Sequence, residues 1–171
     1  MSEPGLKDVV LAISAFRSDQ PVIDLLARAF APGAQAFGRI IVVDSLGSGA
    51  IAEAIAARRW PVDYVNSDRN LGSAGNLDLR LKLAADTGLG WCLALNHDGE
   101  LSAEKCAALV RHGASEPRVG AVYPRLRLTS ADNRLDRPRT RFSPFGPVER
   151  SHPARTIERV KWSSSNGALY N

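Results

Sequence analysis

Two kinds of segment alternate along residues 8–126 of this chain. Short, almost wholly apolar runs predict buried strands at "DVVLAISAF" (8–16), "RIIVVD" (39–44), "VDYVNS" (62–67), "GWCLALN" (90–96) and "RVGAVYPRL" (118–126). The segments between them carry apolar residues at helical spacing and predict four helices. Gly88 ends the third helix, Ser102 caps the start of the fourth and Gly113 ends it. The predicted order is strand then helix, four times over, followed by a fifth strand.

This order predicts a fold class. Strands that are apolar along their whole length are typical of a sheet buried on both faces, and strands separated by helices pair in parallel. We therefore predict an α/β fold with a mostly parallel central sheet covered by helices on both faces, in a single domain spanning residues 1–171. In such sheets a ligand binds in the crevice beyond the carboxyl ends of the strands.

Polar residues follow these strands where each one ends. The first strand ends in "SAFRS", the second in Asp44, the third in "NSDRNLGSAGN" and the fourth in "NHDG". Each has an ordinary explanation on its own, since Asp44 can cap a turn and Asn70 with Gly72 can form a loop. Four polar strand ends at one edge predict a ligand site, and "NLGSAGN" leads into a helix N-terminus that suits an anion. Neither GxGxxG nor GxxxxGK[ST] occurs in the chain.

Composition narrows the classes of protein. The 171 residues are 44% hydrophobic and 23% charged, as in ordinary globular domains. No apolar run approaches the roughly 18 to 20 residues of a membrane span, and "MSEPGLKD" lacks the order of a secretory signal. We therefore expect a cytoplasmic protein. Cys92 and Cys106 have no partner spacing typical of a zinc or redox site, and we interpret both as core residues.

An arginine-rich segment spans residues 125–150. The net charge is only +4, but residues 125–141 of this segment hold six arginines: Arg125, Arg127, Arg134, Arg137, Arg139 and Arg141. Three prolines and little apolar periodicity predict a long surface loop, which either meets an anionic partner or is simply solvated. The segment lacks interleaved aromatic residues and the chain lacks zinc-finger or RNP-like patterns, which argues against nucleic acid as a partner.

The strand and loop sequences together carry a resemblance. The segments "VVLAISAF", "IIVVDSLGSG", "NSDRNLGSAGNLDLRL", "WCLALNHDGEL", "VGAVYPRL" and "WSSSNGALYN" resemble the nucleotide-sugar-binding half of a family-2 glycosyltransferase with the GT-A fold, of the rhamnosyl- and galactofuranosyl-transferase kind. "NLGSAGN" and "LALNHDGEL" are the specific parts of the match. The resemblance implies a Rossmann-like β/α sandwich.

The resemblance also implies roles for the strand ends. Ala15 and Phe16 would flank the base, and Asp44 would bind the base or the ribose. Other residues would line the nucleotide-sugar pocket: Asp68, Arg69, Asn70, Gly72, Asn76 and Asn96. Asp98 would be the last carboxylate of a DxD-type motif and bind Mn²⁺ or Mg²⁺ against the diphosphate.

The motif departs from the family pattern. Asn96 stands where the first acidic residue is usual, so we expect it to offer a carbonyl oxygen and to weaken metal affinity. His97 lies between two residues expected to face the ligand, and strand alternation predicts that it turns away.

The expected reaction is transfer of a sugar, with inversion, from a UDP- or dTDP-sugar to a carbohydrate or lipid-linked acceptor, as in polysaccharide biosynthesis. The arginine-rich segment would lie on the acceptor side and could contact the inner face of the membrane peripherally. Trp162 could stack on a sugar or pack in the core. An apolar strand is predicted to begin at Gly167, and the sequence stops soon after it at Asn171. We therefore expect the family's general base beyond this point, in the missing part of a truncated enzyme.

Two alternatives remain at this point. One is a nucleotide-sugar-binding protein, or an inactive fragment of the same fold, without catalysis. The other is a sugar-1-phosphate nucleotidylyltransferase, which shares a similar sheet but needs a glycine-rich, arginine-containing loop near the N-terminus that "ISAFRSDQP" does not supply.

Overall fold

The computed structural model describes residues 5–34, 36–99, 102–116, 118–124, 140–143, 146–149 and 167–171. Four α-helices, a short 3₁₀-helix (Leu6–Asp8) and eight strands lie within these ranges. The helices are α1 (Asp19–Ala29), α2 (Ala50–Arg58), α3 (Gly72–Ala85) and α4 (Ala103–Ala114). The strands are β1 (Val9–Phe16), β2 (Arg39–Ser45), β3 (Asp63–Ser67), β4 (Trp91–Asn96), β5 (Ala121–Val122), β6 (Thr140–Ser143), β7 (Gly146–Glu149) and β8 (Ala168–Tyr170).

Six of the strands form one sheet in the order β3-β2-β1-β4-β8-β5. Strands β3, β2, β1 and β4 pair in parallel, because a helix connects each to the next. Strand β8 runs antiparallel to both β4 and β5 and separates them. The predicted α/β fold with a mostly parallel sheet is confirmed, while the insertion of β8 was not predicted.

Helices cover both faces of this sheet, as predicted, but not equally. The first face carries α1, α2 and α4 and buries the larger apolar cluster, which includes Leu11, Leu26, Ile51 and Leu109. The second face carries α3 and a smaller cluster that includes Val10, Ala12 and Ala84. The two cysteines lie buried on opposite faces without a disulfide, and burial raises the pKa of the Cys92 thiol to about 11. The prediction that both are core residues is confirmed.

Helix α4 shows where one helix-end prediction was wrong. Ser102 caps the helix as predicted, accepting a hydrogen bond from the Lys105 amide at 3.4 Å. The helix continues past Gly113 to Ala114, so Gly113 is not its stop. A β-carbon on Gly113 would lie 2.5 Å from a ring carbon of Trp91, so the glycine is there to admit the indole ring.

The C-terminal third differs from the predicted loop. Strand β5 is confined to Ala121–Val122, shorter than the predicted residues 118–126. Strands β6 and β7, which comprise residues 140–143 and 146–149, pair antiparallel. The arginine-rich segment is therefore not a loop throughout. The predictions for Trp162 and for the arginines between residues 125 and 139 lie outside the described residues.

Candidate functional site

The carboxyl ends of β1, β2 and β4 meet at one edge of the sheet. Parallel pairing places Ala15 beside Asp44 and Ser14 beside Asn96. The turn after β4 therefore opens from the same edge as the loops after β1 and β2. The predicted juxtaposition of strand ends is present, and the individual side chains differ widely in exposure.

Asp44 is the most deeply buried acid of this edge, at 1% exposure. Its Oδ2 accepts a hydrogen bond from the Tyr64 hydroxyl at 2.8 Å, and its Oδ1 has no partner among the described residues. Gly47 lies over Oδ2, since a β-carbon there would come within 2.1 Å of it. Burial raises the pKa of the Asp44 carboxyl, and the Tyr64 hydrogen bond offsets part of that rise. An unpaired, buried carboxylate oxygen is an acceptor that a ligand donor would satisfy.

A second acid lies near Asp44 and links two loops. The Ser48 hydroxyl donates to Asp19 Oδ2 at 2.7 Å and accepts from the Ala50 amide at 3.2 Å. Asp19 begins α1 and Ala50 begins α2, so this contact ties the loop after β1 to the loop after β2. The charge of Asp19 adds to the rise in the pKa of Asp44.

The ends of β1 and β2 expose two apolar side chains beside strained backbone. Phe16 and Leu46 are each 39% exposed, and the Arg17 guanidinium lies 5.3 Å from the Phe16 ring centroid. Arg17 and Leu46 have φ values of 51° and 61°. Left-handed backbone at residues other than glycine is costly and collects at ligand sites.

The loop between β3 and α3 presents a helix N-terminus to the edge. Asp68, Arg69 and Asn70 are exposed. The Asn70 Oδ1 accepts a hydrogen bond from the Gly72 amide at 2.9 Å, and Gly72 has a φ of 64°. A glycine tolerates this φ without a steric penalty, so the chain can turn sharply into α3.

The turn after β4 exposes one carboxylate. The Gly99 amide donates to the Asn96 carbonyl at 2.9 Å, and Asp98 between them is exposed while His97 is half-buried. The Asn96 Oδ1 accepts a hydrogen bond from the Ser14 hydroxyl at 3.1 Å. Among the described residues no three His, Cys, Asp or Glu side chains converge as a metal site. The set of metal-binding side chains that the described residues place around Asp98 is therefore small.

Two buried polar side chains on α3 support these strand ends. Asn76, which the family resemblance assigns to the nucleotide pocket, is 5% exposed and donates to the Val43 carbonyl at 3.1 Å and the Ser45 hydroxyl at 3.4 Å. Arg80, which sequence reasoning missed, is 2% exposed and contacts β1 and β4. The available signal was the four-residue spacing of Asn76, Arg80 and Ala84 on one side of a helix whose leucines occupy other positions.

Comparison with known proteins agrees with this architecture. A family model described as "Glycosyl transferase family 2" matches residues 14–168. No curated protein sequence matches the chain. Within the described residues no helix has the length and apolar character needed to cross a membrane.

Two solved structures share the fold at low sequence identity, and a third matches more weakly. The mannosyltransferase PcManGT from Pyrobaculum calidifontis, in complex with GDP-Man and Mn²⁺, is 18% identical with a TM-score of 0.54 over 67% of this chain and 34% of that one. A 4-diphosphocytidyl-2C-methyl-D-erythritol synthase is 16% identical with the same TM-score, over 95% of this chain and 74% of that one. S. aureus TarS (residues 1–349) is 16% identical with a TM-score of 0.46, over 62% and 33%. The chain thus spans about a third of the length of PcManGT and of the TarS structure.

Proposed function

The chain belongs to glycosyl transferase family 2, and we propose that it is the donor-binding domain of an inverting glycosyltransferase. In this proposal it takes a UDP- or dTDP-sugar and transfers the sugar to a carbohydrate or lipid-linked acceptor, in polysaccharide biosynthesis in the cytoplasm. The observation that carries the proposal is the edge where Asp44, the N-terminus of α3 and Asp98 open from neighbouring strand ends.

Each feature of this edge suits one part of a nucleotide sugar. The unpaired Asp44 Oδ1 would accept a hydrogen bond from the base or ribose, with Ala15 and Phe16 beside the base. Because Asp44 is covered in this structure, that contact requires the loop containing Gly47 to shift. The amides of the first turn of α3 that follow Gly72, reached through Asp68, Arg69, Asn70 and Gly72, would meet the diphosphate.

A divalent cation fits the exposed Asp98. Mg²⁺ and similar ions are commonly bound by one or two carboxylates together with substrate phosphates, so a single exposed carboxylate is a sufficient protein ligand. When bound, Mn²⁺ or Mg²⁺ supplies positive charge to a leaving diphosphate. The Asn96 amide oxygen already accepts from Ser14, so we propose that Asn96 orients the turn rather than adding a strong ligand.

Acceptor binding is assigned to the arginine-rich segment, residues 125–150, whose charge suits a lipid-linked diphosphate or the inner face of the membrane. We assign the general base to none of the described residues.

The test is calorimetric titration of the protein with UDP, dTDP and GDP, each with and without Mn²⁺. We expect binding of a pyrimidine diphosphate that is strengthened by Mn²⁺ and weakened by Asp98→Ala about tenfold or more. Asp86→Ala is the matched control, because Asp86 is an exposed acid at the opposite end of α3. Equal loss in both variants, or no binding of any diphosphate, would contradict the proposal. Binding of GDP alone would keep the site but overturn the donor assignment.

A further inference from the structure

Arg80 is buried in a position where a helix normally places an apolar residue. It lies in the middle of α3, faces the sheet and is 2% exposed. Its Nη1 donates to the Ala12 carbonyl of β1 at 2.9 Å and to the Leu95 carbonyl of β4 at 3.1 Å. One nitrogen therefore joins two neighbouring strands from the same side.

Burial of the Arg80 guanidinium away from water costs free energy. Desolvation lowers the pKa of Arg80 to about 10, so the guanidinium is still charged at neutral pH. Across the part of the chain that the structure describes, no carboxylate forms an ion pair with it, and its Nε has no hydrogen-bond partner there. A leucine or methionine would fill the same space without this cost. Costly buried polar groups of this kind are often retained because they fix a geometry.

The carbonyl groups that Arg80 contacts show which part of the structure it holds in place. Leu95 is the residue before Asn96, where the turn that exposes Asp98 begins. Ala12 lies on β1, the strand that supplies the Ser14 hydroxyl to the Asn96 side chain. Asn76, one helical turn before Arg80, makes the corresponding contacts to the end of β2. A single row of α3 thus braces the ends of β2 and β4 and the middle of β1.

We propose that Arg80 is a positioning residue that holds the end of β4, and with it the Asn96–Gly99 turn, in the orientation that presents Asp98 to a metal-bound diphosphate. This rests on the proposed function for the identity of the ligand. Because Arg80 holds the Asn96–Gly99 turn before the ligand arrives, binding does not have to reorder this turn.

The experiment compares Arg80→Met, Arg80→Lys and the control Lys82→Met, an exposed cation on the same helix. For each variant we measure the ratio of UDP affinity with Mn²⁺ to UDP affinity without it. We expect the ratio to fall about tenfold or more in Arg80→Met, as for loss of groups that orient metal ligands. Arg80→Lys should lose less, since an ammonium group can still donate to one carbonyl, and Lys82→Met should match the wild type.

A purely structural role for Arg80 predicts a different result. Folded Arg80→Met with lower thermal stability but an unchanged ratio would overturn the proposal. If Arg80→Met does not fold, the test rests on Arg80→Lys. A ratio of UDP affinities with and without Mn²⁺ that equals the wild-type ratio in Arg80→Lys would then overturn the proposal.

A second readout needs no ligand and separates this proposal from the proposed function. The Gly99 amide donates a hydrogen bond to the Asn96 carbonyl. In Arg80→Lys its hydrogen should exchange with deuterium about tenfold faster than in the wild type, while amides in α4 keep their wild-type exchange rates. If the wild type binds no diphosphate but Gly99 exchange rises selectively, the proposed function fails and the bracing of the turn stands. Uniform acceleration in both regions would overturn the bracing.

Discussion

The two faces of the sheet bury different kinds of side chain. The face with α1, α2 and α4 buries leucine, isoleucine and valine almost without interruption, and Asp44 is its one buried acid in the described part of the chain. The face with α3 buries Asn76 and Arg80 in the row of the helix that points at the strands, and its leucines lie half-buried at the sides. The first face mainly removes apolar side chains from water. On the second face, the buried side chains of Asn76 and Arg80 donate hydrogen bonds to backbone carbonyls of the strands.

This contrast suggests a division of roles between the faces. Removal of apolar area from water is the main source of folding stability, so the first face should dominate the free energy of unfolding. Hydrogen bonds exchanged with water contribute little net stability but are directional. Substitutions on the α3 face should therefore disturb ligand binding more than stability. The Arg80 variants test ligand binding, and the following predictions test stability.

The largest loss of stability is expected from Leu26→Ala. Leu26 on α1 is fully buried, and its truncation leaves a cavity that should cost about 2–5 kcal/mol. Leu79→Ala on α3 is the matched variant, and because Leu79 is only half-buried we expect about 1–2 kcal/mol. Urea denaturation of both variants measures the difference. Equal losses would break the comparison between the faces.

A smaller loss of stability is expected from Gly113→Ala, which tests how tightly α4 packs against Trp91 on the first face. The added β-carbon would meet the Trp91 ring at 2.5 Å, and overpacking of this kind should cost about 1–3 kcal/mol. Gly120→Ala is the control, because no atom lies within 4 Å of its β-carbon position. Thermal denaturation should separate the two, and matching midpoints would show that the indole ring moves aside freely.

The pH dependence of stability tests Asp44, the acid buried on the first face. Burial raises the pKa of Asp44 in the folded protein, so ionisation is harder there than in the unfolded chain. As pH rises from about 4, the ordinary carboxyl value, through the raised value, the wild type should lose stability that Asp44→Asn keeps. The free energy of unfolding of Asp44→Asn minus that of the wild type should therefore increase with pH over this range. Parallel urea-denaturation curves at every pH would contradict this expectation.

The smallest effect is expected away from both faces. Arg39 and Asp63 form an exposed ion pair where β2 and β3 begin, with a second hydrogen bond from Nη2 to Oδ1 at 3.0 Å. Solvent and salt screen such a pair, so Asp63→Asn should leave the urea midpoint unchanged within error. A clear shift of the midpoint would mean that this exposed ion pair contributes to stability, and that stability does not come from the two buried faces alone.

The sequence predicted those parts of the fold that follow local periodicity. Strands β1 to β4 and the four helices have regular apolar spacing, and their alternation leads directly to a parallel sheet. The apolar run from Gly167 predicts a strand there, but its place between β4 and β5 could not be predicted, because three residues carry too little periodicity and their partners lie near residue 93. The common edge of Asp44, Asn96 and Asp98 followed from topology alone.

The directions of individual side chains were beyond sequence reasoning. A charged residue in a helix is normally expected at the surface, and Arg80 is buried only because carbonyls from two distant strands accept its hydrogen bonds. Asn76 similarly faces β2, and Asp44 lies beneath Gly47, through contacts that depend on the assembled sheet. The pattern of a segment predicts its element, whereas these burials depend on tertiary contacts.

The position of β8 has a consequence for how the protein folds during synthesis. Strand β4 leaves the ribosome long before residues 168–170, yet those residues cover its second edge. Until they arrive, a nascent sheet of β1 to β4 presents an unpaired strand edge that another chain can join. A chaperone that covers this edge during synthesis should therefore reduce aggregation of chains that are still on the ribosome.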